Sequence, residues 1–271
     1  MLSHVVRLQA PVLENRSSPR DVSVLTVRAP EITASARPGQ FVMAAVSGQG
    51  GIPSPLLKRA LAVFTISDQD MTKMTLLVKA IGEGTERLAA VRPGDHLELV
   101  GPLGEGFDLE RGRNRISLIV VGGTGIASVY LLARELARAG EEVHLLYGGR
   151  SADDLAGLRP FEHLRIPITT TTEDGTAGKT GLVTTALQEC LERYPAEHLN
   201  LYTCGPNRMM QAVSEMVVPL GVPCQISVEI KMACGFGVCL GCTVKTLDGL
   251  RLACTHGPVF DAAKFVWEPP N

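Results

Sequence analysis

Four cysteines in the last quarter of the chain constrain it more than any other feature. Cys234, Cys239 and Cys242 follow one another as C-x4-C-x2-C, and Cys254 completes the set after the intervening run Thr243 to Ala253. This is the plant-type spacing in which four thiolates hold the two irons of a [2Fe–2S] cluster. Gly235, Gly237 and Gly241 are expected to give the loop positive φ, so that it wraps tightly and backbone N–H groups point at the cluster sulfurs. Asp248-Gly249 is a turn signal, and a two-strand hairpin around it brings Cys254 back beside the other three. Zinc also accepts four thiolates, but structural zinc sites usually use two C-x2-C pairs, and here one such pair stands with two outliers. A disulfide framework needs an oxidising compartment and fits poorly with an odd total of 7 cysteines. The other three, Cys190, Cys204 and Cys224, are scattered and expected to be small buried hydrophobes.

A chain of 271 residues, 45% hydrophobic, can bury a substantial core and is expected to form two or three modest domains. Its net charge of −2 offers no basic surface to nucleic acid or to an anionic membrane. No apolar run reaches transmembrane length, and Met1–Val6 lacks a charged head followed by an apolar stretch. A soluble, cytoplasmic protein is the expectation. There is no internal repeat, and Pro53-Ser54-Pro55 is a local loop.

Residues 1 to about 103 carry the pattern of short strands. Val5–Leu8, Val22–Val27, Phe41–Val46, Ala62–Ile66, Met74–Val78 and His96–Val100 are β-branched or alternating runs. They are separated by the turn signals Arg37-Pro38-Gly39, Gly48–Gly51, Asp68-Gln69-Asp70 and Arg92–Asp95. Six strands at this spacing predict an antiparallel β-barrel. One helix is expected at Gly84–Ala90, with Thr85 as its N-cap and Glu86 in its first turn. A helix start of this kind suits a phosphate, although Gly-Thr before a helix is also ordinary capping. Arg59, in Leu56–Ala62, has the same double reading of anion ligand and solvated surface group.

From about residue 114 strands and helices alternate. Arg115–Val121 is a continuous apolar strand of the kind buried in a parallel sheet, and it runs into Gly122-Gly123-Thr124-Gly125 and a helix, Ser128–Ala139, closed by Gly140. Further strands are expected at Val143–Tyr147, Arg165–Thr169 and Asn200–Cys204. Helices are expected from Gly181 to Leu191, and after Gly205-Pro206 with Met209, Val213, Met216 and Val217 on one face. The pattern predicts a doubly wound α/β domain, whose ligands sit beyond the carboxyl ends of the strands. The Gly-rich strand ends Gly122, Gly123 and Gly125, and Gly205-Pro206, face that edge as candidate nucleotide contacts. Gly-Gly-x-Gly is a loose form of the dinucleotide fingerprint and gains weight only from its place between strand and helix. No acidic residue closes the second strand to mark a ribose hydroxyl, whereas Arg150 is a candidate for a 2′-phosphate.

A barrel, a nucleotide-binding α/β domain and a plant-type cluster, in that order, resemble the ferredoxin–NADP reductase superfamily with a fused iron–sulfur module. Within it, the chain resembles the electron-transfer subunits of NAD-dependent (class B) dihydroorotate dehydrogenases over nearly its whole length. The segments that carry the likeness are Gly101–Phe107, Val121–Ile126, Thr203–Pro206, Glu229–Cys242 and Cys254–Phe260, the last containing Gly257-Pro258-Val259-Phe260. The resemblance implies an α+β multidomain chain divided as 1–110 (FAD-binding antiparallel β-barrel), 111–224 (NAD-binding α/β domain) and 225–271 ([2Fe–2S] module of small β structure). It implies that FAD meets Arg59, Ala60, Leu61 and Ala62, then Leu77, Val78 and Lys79, and then Gly84 and Thr85. Ala62 departs from the family, where a serine is typical, which removes a hydrogen bond expected near the flavin.

The same resemblance implies an electron conduit in pyrimidine biosynthesis. Dihydroorotate is oxidised at an FMN in a separate catalytic subunit, in a heterotetramer of two plus two, and electrons cross the cluster to FAD and then to NAD+. The chemistry belongs to the cofactors, so no catalytic acid, base or nucleophile is expected here. A sister conduit with the same layout, the flavin and iron–sulfur subunit of a ferredoxin:NADP oxidoreductase or sulfide dehydrogenase, is the competing reading. A redox-sensing regulator is a more distant one, since no effector or DNA-binding module is recognisable.

Overall fold

The computed structural model describes residues 5–46, 56–111 and 114–267. The turn expected at Gly48–Gly51 and the loop at Pro53–Pro55 lie outside the described residues. The first unit is one antiparallel sheet of Val6–Ser18 (β1), Val22–Arg28 (β2), Phe41–Val46 (β3), Arg59–Ala62 (β4), Thr65–Ile66 (β5), Lys73–Lys79 (β6) and His96–Leu103 (β7). Its strand order is β4-β3-β7-β1-β2-β6-β5. The two edges, β4 and β5, are separated in sequence only by Val63-Phe64. The sheet must therefore curl until its edges meet, with the Val63 amide donating to Gln40 O and the Phe64 amide to Thr75 O on β6. This crossing splits the single strand expected over Ala62–Ile66, so seven strands form where six were expected. Alternating residues fill the interior: Leu25, Val27, Val42, Ala44, Leu76, Val78, Leu97 and Leu99 are fully buried.

Two short helices decorate the sheet. Pro30–Thr33 (α1) was not legible as a helix; Pro30 at its first position supplies a preset φ. Glu83–Ala89 (α2) starts from Gly82 rather than from Thr85. The Thr85 hydroxyl instead accepts from the Ile81 amide (2.9 Å) and donates to Gly82 O (2.9 Å), which fixes the turn leading into the helix.

The second unit is a sheet in the order β11-β10-β9-β8-β12-β13-β16. It contains Ile116–Gly122 (β8), Val143–Gly149 (β9), Ile168–Thr172 (β10), Lys179–Thr180 (β11), Leu199–Cys204 (β12), Cys224–Ser227 (β13) and Val259–Asp261 (β16). All pairings are parallel except β13 with β16. On β8, Leu118 and Val120 pack with Val183–Arg193 (α5) and Asn207–Val217 (α6), while Ile119 and Val121 pack with Ile126–Arg138 (α3). Both faces are covered by helices, which explains why this strand is apolar without interruption. A further short helix, Arg159–Glu162 (α4), packs beside α3. The strand expected from Arg165 begins only at Ile168, because Arg165 takes a left-handed φ of 55° and Pro167 has no N–H to donate. On α6 the buried apolar residues are Met210, Val213 and Val217; Met209 and Met216 are half-buried.

The cysteine-bearing segment leaves this sheet after β13 and returns to it as β16, so its two ends are anchored by ladder hydrogen bonds. Between them stands the hairpin of Thr243–Thr246 (β14) and Gly249–Leu252 (β15). The pair Thr246↔Gly249 closes it, so the turn is Leu247-Asp248, with Gly249 at φ 99°. Its inner face, Val244 and Ala253, joins one buried cluster with Phe41, Met43 and Leu103 of the barrel and Ile226 of the nucleotide sheet.

Candidate functional site

At the cysteine loop, Gly235 and Gly237 take positive φ (85° and 91°), but the third such position is Leu240 (59°) and not Gly241. Gly235 is the tightest point: a Cβ there would strike the Met43 side chain on β3, so the loop lies directly on the barrel. Cys242 and Cys254 are buried with their sulfurs 3.2 Å apart. Cys234 and Cys239 form the second pair, their side chains in hydrogen-bonding contact. Burial works to raise the Cys234 thiol, but backbone N–H groups of Cys239, Phe236 and Val238 and the Cys239 side chain outweigh it and bring its pKa to about 6. Amides aimed at a sulfur favour thiolate, the form that binds iron.

Two pairs fit two irons, each of which takes two protein thiolates in a [2Fe–2S] cluster. A single zinc would gather all four about one point. Phe236, Val238 and Leu240 project outward around exposed Cys239, as do Leu247 and Leu250 on the hairpin.

A cavity of about 610 Å³ opens beside the loop. Its barrel wall is Arg59, Ala60, Leu61 and Ala62 on β4, and Leu77 and Lys79 on β6; Gly82 and Thr85 belong to the start of α2. Val78 lies between Leu77 and Lys79 but points the other way, into the barrel core. Gly84 is buried under the Arg59 guanidinium, which fills the space that a Cβ would need. Arg59 Nη1 donates to Leu57 O at 2.5 Å, which sets the guanidinium beside the helix start. A cation next to helical N–H groups, in a cavity of this size, fits the pyrophosphate of FAD. Ser227–Met232 form another part of the wall, so Cys234 follows two residues after a cavity-lining side chain.

A second cavity, of about 700 Å³, lies beyond the carboxyl ends of the parallel strands. Gly122, Gly123, Gly205 and Pro206 line it. Gly125 does not; it is pressed against the backbone of Cys204 and Gly205, and no Cβ would fit. Its role is to let the two Gly-rich strand ends meet. Arg150 and Asp154 also line this cleft. Asp154 is brought to the end of the second strand by the turn Ala152–Asp154, where its carboxylate pairs with Arg150.

Lys79, Thr124 and Glu229 border both cavities and mark where they join. Sequence reasoning missed Thr124 and Glu229 as site residues, as well as Cys204 beneath them. Glu229 has accessible surface, but that surface opens into the clefts; enclosure by protein raises its carboxyl above the ordinary range. The Cys204 thiol is fully buried and pushed up to about 12, by desolvation first and by the Glu229 charge second. Ser128 and Ser227 offer it hydrogen bonds. The adjacency of Glu229 to the cysteine motif was the one available signal.

Two segments that carried the family resemblance meet in space. Gly104 packs against Gly257 O and Pro258 Cδ (both 2.7 Å from a Cβ placed there), and the Glu105 amide donates to Gly257 O at 2.5 Å. They seal the barrel to the segment that follows the fourth cysteine.

A curled antiparallel sheet, a doubly wound nucleotide sheet and an iron–sulfur loop at their junction define a ferredoxin reductase-like oxidoreductase with a fused cluster module. Residues 229–266 match the family described as the iron–sulfur cluster binding domain of dihydroorotate dehydrogenase B, and residues 119–215 match the oxidoreductase NAD-binding domain. The chain is 34% identical to the dihydroorotate dehydrogenase B (NAD(+)) electron transfer subunit of Caldanaerobacter subterraneus subsp. tengcongensis, over 96% of this chain and 99% of that one. It is 35% identical to the homologue of that subunit in Aquifex aeolicus, over 94% and 96%. Among solved structures it superposes on an NADH-dependent reduced ferredoxin-NADP oxidoreductase studied for flavin-based electron bifurcation, with a TM-score of 0.83, 27% identity and 96% and 90% coverage. A flavohemoglobin from Malassezia yamatoensis with bound FAD and heme shares the fold (TM-score 0.64, 19% identity, 82% and 60% coverage). The chain belongs to the family of dihydroorotate dehydrogenase B (NAD(+)) electron transfer subunits.

Proposed function

We propose that this chain accepts electrons from a catalytic subunit that oxidises dihydroorotate at an FMN, and delivers them to NAD+ in a complex of two plus two subunits. When bound, the cluster supplies one-electron transfer and FAD the change from single electrons to a hydride. The observation that carries this reading is the continuity of Glu229–Met232 with Cys234: one short segment walls the flavin cavity and then begins the cluster loop. Arg59 and the start of α2 hold the pyrophosphate. Leu77 and Lys79 line the barrel wall of the cavity beside it. Gly122, Gly123, Gly205 and Pro206 let the backbone approach the dinucleotide closely. Lys79, Thr124 and Glu229 stand where flavin and nicotinamide must meet.

The exposed apolar residues around Cys239 suit a partner surface, because a one-electron carrier must face the donor flavin as well as its own. The divisions 1–110, 111–224 and 225–271 are adopted as functional units, although the last returns β16 to the sheet of the second. The chain is placed in the cytoplasm, because a cluster held by thiolates suits a reducing compartment. The likeness to the NADH-dependent ferredoxin-NADP oxidoreductase gives the sister system as a second reading.

The test is anaerobic. The purified chain is mixed with an FMN-containing dihydroorotate-oxidising subunit, dihydroorotate and NAD+, and absorbance near 340 nm is followed. NADH that forms only with both subunits present is the expected result. No NADH, together with reduced ferredoxin serving as donor, assigns the chain to the sister system.

A further inference from the structure

Arg150 stands where an NADP-binding cleft would keep a cation for the 2′-phosphate. It follows β9, the strand next to the glycine-bearing β8, and in such sheets the end of the second strand meets the adenine ribose. Its side chain is 63% exposed, so the group is available by position. Its charge, however, is already engaged, and two of its five N–H donors are taken by one carboxylate. Asp154 takes the guanidinium with both oxygens, Nε to Oδ2 at 2.8 Å and Nη2 to Oδ1 at 3.2 Å, and its Oδ2 also accepts from the Arg150 amide at 3.2 Å. The Asp154 side chain is only 7% exposed and is braced from behind by Arg20 of the barrel, whose Nε lies 3.7 Å from Oδ1. Arg20 Nη2 also donates to Ser151 Oγ at 2.8 Å, which fixes the turn that carries Asp154. Glu173, whose amide bonds to Gly149 O, places a second carboxylate on the same rim.

We propose that Asp154 is the residue that sets the dinucleotide specificity of this cleft. Clamped in a bidentate pair, Arg150 has its charge offset by Asp154, and Glu173 repels the extra dianion of a 2′-phosphate. The ribose 2′-hydroxyl of NAD carries no charge and meets no such barrier; rejection of the phosphate is the discriminating element. This inference rests on the nucleotide reading of the cleft given above.

The test uses the whole chain with its flavin bound. Calorimetric titration with NAD+ and with NADP+ gives the two affinities without turnover, and anaerobic bleaching of the flavin by NADH or NADPH gives a kinetic check. The wild-type chain is expected to prefer NAD+ strongly. In Asp154→Asn, which keeps an acceptor for the Arg150 amide, the ratio of NADP+ to NAD+ affinity should rise roughly tenfold or more, the scale of one freed charge-assisted contact. Adding Arg150→Ala to that variant should erase the gain. Glu173→Gln, an exposed substitution that does not threaten folding, should give a smaller gain of the same sign.

Equal wild-type affinity for the two nucleotides, or an unchanged ratio in Asp154→Asn, overturns the proposal. So does a gain that survives the loss of Arg150. If neither nucleotide binds nor bleaches the flavin, the functional reading itself falls and this inference falls with it.

Discussion

The cluster loop and the nucleotide cleft differ in how their parts are brought together. The loop draws all four candidate ligands from Cys234–Cys254, and its shape follows from left-handed residues at 235, 237 and 240 and one hairpin. The cleft takes Gly122–Thr124, Gly148–Arg150, Leu182–Thr184 and Gly205–Met209 from separate strand ends and loops, and closes only where their backbones touch. A locally built site should fail locally when altered. A site built by convergence should fail through the packing that holds its pieces together.

The largest expected effect tests that contrast directly. Cys239→Ser should lose the cluster, seen as loss of iron and of the long-wavelength absorbance, and electron flow from the partner to NAD+ should stop. Flavin content and bleaching by NADH should survive. Loss of flavin together with iron would mean that the loop is not an independent site, and the contrast would break.

Gly125→Ala is the counterpart in the cleft. Its methyl meets the backbone of Cys204 and Gly205, which cannot swing aside as a side chain can. A loss of about 1–3 kcal/mol in unfolding free energy is expected, with weakened dinucleotide binding and an intact cluster spectrum. Chemical denaturation and titration with NAD+ measure the two effects.

The flavin cavity stands between these cases. Arg59→Ala removes a charge-assisted contact to pyrophosphate and should weaken FAD by roughly tenfold, read as flavin lost on gel filtration. Gly84→Ala pushes only on the movable end of Arg59 and should cost less. A larger loss from Gly84→Ala would show that the position of the guanidinium matters more than its charge.

The smallest effect is at the junction. Enclosure raises the Glu229 pKa in the folded chain, so the native state holds that proton more firmly than the unfolded state does. Stability should therefore fall as pH rises from the ordinary carboxylate value of 4.5 through the folded-state value, and stay lowered above it. Glu229→Gln should remove this slope and be slightly more stable at neutral pH. Thermal melts across that range decide it, and an unchanged slope would place the carboxyl in a solvated setting.

Much of this site was legible beforehand. The spacing of Cys234, Cys239, Cys242 and Cys254, the glycines after β8 and the Gly205-Pro206 pair are local signals, because each depends on a turn or a strand end within a few residues. Thr85 was read as a cap although Gly82, three residues earlier, performs that task, since where a helix starts depends on the chain that enters it. Val78 was grouped with its neighbours, whereas the strand period of two turns it into the core.

By itself the sequence determined the order of the three parts, the cluster type and the strand ends that carry the glycines, for all of these rest on local backbone preference and hydrophobic period. The tertiary structure alone decided that β4 and β5 meet, that Arg59 lies over Gly84, that Asp154 clamps Arg150 with Arg20 behind it, and that Glu229 joins two cavities. Arg59 and Gly84, Arg20 and Asp154, and the walls that meet at Glu229 come from distant parts of the chain, and even the near neighbours Arg150 and Asp154 depend on a turn braced from the barrel. Such contacts follow from how sheets curl and domains pack, which no local pattern encodes.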